Sequence, residues 1–121
     1  MRIAADRPAP GPIVTSFGPG GFRIGDDRHR AVLMTAATAL AWSPPPLEQL
    51  GVDDLRMLVG ARPEFVLLGT GATLRRPAPA LVAALAALDI GVEPMDSRAA
   101  ARAWGVLRGE GRVIGAALYP L

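Results

Sequence analysis

The run EFVLLG at residues 64–69 constrains this chain more than any other feature. Continuous apolar residues at strand length, closed by glycine, describe a strand buried on both faces, and such strands belong to sheets covered by helices. The flanking segments agree. Upstream, DDLRMLVGA predicts a short helix capped by Asp53 or Asp54, with Leu55, Leu58 and Val59 on one side. Downstream, PAPALVAALAALD predicts a second helix, with Leu81, Leu85 and Leu88 spaced i, i+4, i+7 and its prolines confined to the first turn. IGVEPM is another short strand. DSRAAARAWGVLRG is a third helix, with Asp96 as N-cap and Gly109 or Gly111 to end it. RVIGAALYPL closes the chain as a strand. The second half therefore reads β-α-β-α-β after its opening helix, an α/β pattern.

The first half adds strands. IVTSFGPGGFRIG gives two around a Gly-Pro-Gly-Gly turn, DDRHR is a polar turn, and AVLMTAATALAW gives one or two more. Prolines 44–46 end that unit, because they fit neither a ladder nor a helix interior. These strands predict a mixed sheet. Residues 1–11 form a flexible lead-in, and residues 12–121 form a single domain with no internal linker.

Composition excludes several functions. The chain has no cysteine, so it has no disulfide framework, thiolate metal site or cysteine nucleophile. All 13 basic residues are arginine, and 11 carboxylates bring the net charge to +2, so the basic pI follows from the high arginine pKa. The arginines are scattered and not interleaved with aromatics, which argues against nucleic acid. No apolar stretch approaches the roughly 20 residues of a membrane span, and the N-terminus lacks a signal-peptide apolar core. The expectation is a soluble cytoplasmic protein. The absence of lysine beside abundant Ala, Gly, Pro and Arg points to a GC-rich bacterial genome.

Candidate sites are few. Gly69-Thr70-Gly71 stands at the end of a buried strand, where free backbone N–H groups can hold an anion, and Arg75 and Arg76 follow. The pattern is neither a P-loop nor a dinucleotide fingerprint, so a tight structural turn is the competing reading. Glu93 and Asp96 flank Pro94-Met95 and would complete a cleft with Gly69, Thr70, Gly71 and Arg75, although capping accounts for Asp96. His29 lies in a charged turn and is a poor metal ligand by itself. Ser16 and Ser97 lack a nucleophile context. Trp104 sits on a helix face with Ala100 and Leu107, as a core residue does. No catalytic residue, metal site or cofactor emerges.

Taken together, TSFGPGGFRIG, Trp42 with its prolines, VLLGTG and IGVEPMDSRAAARAWGVLRGEGRVIGAAL resemble the domain of unknown function 498 family over about residues 12–118. Its mitochondrial member is NADH:ubiquinone oxidoreductase (complex I) assembly factor 3. The resemblance implies a three-layer α/β fold with a central mixed sheet flanked by helices, no established enzymatic activity, and action through a protein partner. It is compatible with peripheral membrane association and with a homo-oligomer. The chain has Ser97 where the family usually has threonine, and Ala103-Trp104-Gly105 where Thr-Tyr-Asn is usual. It keeps Met95, Asp96, Val106, Leu107, Glu110, Gly111 and Arg112, of which Glu110 and Arg112 are expected either to form a local pair or to satisfy helix-end groups. An edge strand or an apolar patch near Trp104 or the Phe17–Phe22 turn would carry a protein-binding role. A small-molecule or anion binder using the Gly-Thr-Gly cleft is the alternative.

Overall fold

The structure, a computed structural model, describes residues 11–121. The lead-in expected at residues 1–11 lies outside them except for Gly11. Strands β1 (Val14–Gly18), β2 (Gly21–Ile24) and β3 (Asp27–His29) form a three-stranded antiparallel sheet. Strands β4 (Val32–Met34) and β5 (Ala39–Ala41) lead through two 3₁₀ turns to α1 (Arg56–Gly60). Then come β6 (Phe65–Gly69), α2 (Pro79–Ala86), β7 (Gly91–Met95), α3 (Ser97–Gly109) and β8 (Gly115–Leu118). The second sheet has the order β5-β4-β8-β6-β7, with β8, β6 and β7 parallel and β4 antiparallel to both of its neighbours. The fold is α/β with a mixed central sheet.

Alternation along the central strands builds two cores. Val66 and Leu68 of β6, Ala117 of β8 and Leu33 of β4 pack with Leu58, Leu81 and Leu85 on one face. Leu67, Ala116, Leu118, Val32 and Met34 pack with Phe22 and Trp104 on the other. One layer thus holds α1 and α2, and the opposite layer holds α3 with the small sheet. The apolar run at residues 65–68 is continuous because each side chain packs into or against one core or the other.

Four expectations need correction. The segment DDRHR is not merely a turn, since Asp27–His29 pairs with β2 in register. Leu88 does not share the buried face of Leu81 and Leu85. The helix stops at Ala86 and the chain turns at Asp89 (φ 61), leaving Leu88 51% exposed. Neither Asp53 nor Asp54 occupies the N-cap position before Val52–Leu55; Gly51 does, and the Asp54 carboxylate accepts its N–H at 2.9 Å. Arg112 pairs with Glu64 at 2.8 Å, not with Glu110. That guanidinium holds the Glu64 carboxyl below the usual carboxylate range, although so exposed a pair contributes little stability.

Tyr119, just after β8, ties the proline segment to the sheet. Its hydroxyl donates to the Pro45 carbonyl at 2.8 Å, and its ring meets Trp42 edge-on at 5.7 Å. Burial pushes the phenol up to about 12, helped by the charges of Asp54 and Glu48. The folded pKa is raised above its unfolded value of about 10. The neutral phenol's contribution is therefore fully present below pH ~10 and is lost as pH rises through ~12. Tyr119 is the only tyrosine, so phenolate absorbance should give one transition near pH 12 in the folded protein. A midpoint near that of a free phenol would show the ring to be hydrated.

Candidate functional site

The carboxyl ends of parallel strands are where open α/β sheets usually hold ligands, and Gly69-Thr70-Gly71 stands there. Each glycine has a separate local cause. A Cβ on Gly69 would lie 2.8 Å from Ser97 Oγ and 2.9 Å from Leu118 Cδ2, so this strand end needs glycine for contact with α3 and β8. Gly71 has φ +103, a left-handed conformation that side chains resist.

The polar groups of this corner bond to one another. Thr70 N–H donates to the Met95 carbonyl at 2.8 Å, and Gly71 N–H donates to Ser97 Oγ at 2.8 Å. Ser97 N–H returns a bond to the Gly71 carbonyl at 2.8 Å, while its hydroxyl donates to the Tyr119 carbonyl at 2.8 Å. The Thr70 hydroxyl donates to the Thr73 carbonyl at 2.7 Å and accepts from Arg75 N–H at 2.9 Å. Thr70 and Ser97 are both buried. The loop fastens the ends of β6, β7 and β8 to α3, and both amides an anion would use already donate inside the protein.

The other predicted site residues go separate ways. The Arg75 guanidinium leaves the corner and pairs with Glu48 at 2.9 Å on the surface. Asp96 caps α3 by accepting from Ala99 N–H at 2.9 Å. Glu93 is exposed on β7 and makes no ion pair or side-chain hydrogen bond among the described residues. Its register partner is Leu67, which belongs to the core on the α3 side. Trp104 is fully buried, with its indole N–H donating to the Pro12 carbonyl at 2.9 Å, so it offers no surface to a partner. Among the described residues no group of three His, Asp or Glu side chains could hold a metal ion. No helix is long and apolar enough to cross a membrane.

Sequence reasoning missed an apolar groove between α2 and the sheet edge. It has a volume of about 510 Å³ and is lined by residues including Pro77, Val82, Ala86, Val92 and Pro94, with Arg76 at its rim. The available signal was Val82, off the Leu81–Leu85 stripe yet apolar; it is 42% exposed. Beside the groove, β7 is an edge strand. Gly91 N–H and the Met95 carbonyl bond toward β6, so alternation turns Val92 and Pro94 outward. Proline has no N–H, and Val92 is left as the one outward donor within β7. This edge is poorly suited to adding a strand.

The fold and its tied-down corner define a class: an α/β domain with a mixed sheet whose strand-end loop is structural in construction. The chain belongs to the family described as "Protein of unknown function (DUF498/DUF598)", whose model matches residues 14–119. It is 37% identical over 111 residues to an uncharacterised protein of Rhodobacter capsulatus, covering 89% of this chain and 84% of that one. Among solved structures, it resembles a Bordetella parapertussis protein with a TM-score of 0.82 and 30% identity, covering 95% of this chain and 100% of that one. A Bordetella pertussis protein described as an Mth938-like domain gives a TM-score of 0.77 and 25% identity, covering 99% and 89%.

Proposed function

We propose that this chain is a non-catalytic domain that binds another protein, and that its role lies in the assembly of a respiratory membrane complex. The groove between α2 and β7 carries the binding part of this reading. An apolar hollow of about 510 Å³ with an exposed valine, on an edge that cannot readily add a strand, suits the apolar side chains of a partner. The family resemblance motivates the assembly role. The small-molecule or anion alternative would need the Thr70 and Gly71 amides, which already donate to Met95 and Ser97.

The test is affinity purification of the tagged protein from its own cells, membranes included, beside a Val82→Glu variant. Val82 is partly exposed, so the variant should fold normally. Recovery of respiratory-complex subunits by the parent chain, reduced by about tenfold in the variant, is the expected result; that ratio corresponds to about 1.4 kcal/mol. Equal recovery by both chains would remove the groove from the reading, and recovery of no partner by either would remove the reading itself.

A further inference from the structure

We propose that the solvent face of the three-stranded sheet holds a single phosphate group, gripped by Arg23 and Arg28 with the hydroxyl of Ser16. Strand register makes the case. Ser16 pairs with Arg23 across β1 and β2, and Arg23 pairs with Arg28 across β2 and β3. Directly opposed residues of antiparallel strands share a face, so the three side chains form one row across the sheet. With strands about 4.8 Å apart, the row spans roughly 10 Å. The next row, Phe17–Phe22–His29, lies on the opposite face, where Phe22 enters the core. The arginine row therefore faces water.

Two like charges directly opposed across strands are unfavourable unless an anion answers them. Among the described residues none does: the ion pairs are Arg75–Glu48 and Arg112–Glu64, and neither Asp26 nor Asp27 bridges to Arg23 or Arg28. The Arg28 side chain lies over the hairpin turn, so that a Cβ on Gly20 would come 2.7 Å from its Nη1. There it borders a hollow of about 160 Å³, lined also by Ser16, Phe17, Gly18, Pro19, Gly20 and Gly21; Arg23 does not line it but is the cross-strand partner of Ser16, which does. That volume suits one phosphate group and falls below the ~300–1,000 Å³ of pockets that enclose whole small ligands. The Arg28 fork and the Ser16 hydroxyl border the hollow, and Arg23, reaching in from its position opposite Ser16, would add the second fork of a set that matches the oxygens of a phosphate in charge. The row lies on different elements from the α2–β7 groove, so each site can fail without the other.

The test is an NMR titration of the full chain with inorganic phosphate and, separately, with an N-acetylated phosphoserine amide, following backbone and guanidinium N–H signals. Saturable shifts should centre on Ser16, Arg23 and Arg28. R23Q and R28Q should each weaken binding by about tenfold or more, and R56Q, on the exposed side of α1, should leave it unchanged. Tighter binding of phosphoserine would assign the site to a phosphorylated partner, and tighter binding of inorganic phosphate to the free ion; either supports the site. Shifts that do not saturate, or that persist in the R23Q/R28Q double variant, would overturn it.

Discussion

Trp104→Ala is expected to lower folding stability by about 3–5 kcal/mol, the range for removing a fully buried large aromatic side chain. The ring sits on α3 with no exposed surface, in the core that also holds Phe22, Met34, Leu67 and Leu118. Its loss opens a void between the helix, the central sheet and the small sheet, which cannot all close in at once. The indole N–H also holds the Pro12 carbonyl, so the lead into β1 loses its anchor. Urea unfolding followed by far-ultraviolet circular dichroism reads the loss directly. Val106→Ala is the matched control: the same helix, but a side chain 64% exposed, with an expected change within ~0.5 kcal/mol. If Trp104→Ala cost no more than Val106→Ala, the indole would not be core.

How far this architecture was legible depends on how local its causes are. The strand β6 could be read because burial on both faces leaves an unbroken apolar run of strand length, and the α2 stripe of Leu81 and Leu85 because burial repeats at the helical period. The Asp96 cap could be read because the capping bond spans three residues. The fate of Arg75 and Arg112 could not, since Glu48 and Glu64 are 27 and 48 residues away and no local pattern marks them as partners. The groove at Val82 was hidden for the same reason: β7 becomes an edge only when β8 inserts between β4 and β6. The glycines of the Gly-Thr-Gly loop were visible, but their separate causes needed the contact with Ser97 and the positive φ at Gly71.

Ser97→Ala should cost about 2–4 kcal/mol, because it strands two buried backbone groups at once. The hydroxyl accepts from Gly71 N–H and donates to the Tyr119 carbonyl, each at 2.8 Å. Alanine removes one oxygen and opens little volume, so packing contributes only a minor part of the loss. Asp96→Ala, one residue earlier, should cost about 1 kcal/mol, the usual value of an N-cap, because it removes a single bond to Ala99. This ordering tests the assignment of the corner. A structural joint predicts that Ser97→Ala lowers the unfolding midpoint well below that of Asp96→Ala while partner recovery from cells is kept at temperatures where the variant stays folded. A ligand site predicts the reverse, a small change in stability with loss of binding. If the second pattern appeared, the Gly71 amide and the Ser97 hydroxyl would have to be reassigned from fastening the strand ends to recognising a ligand.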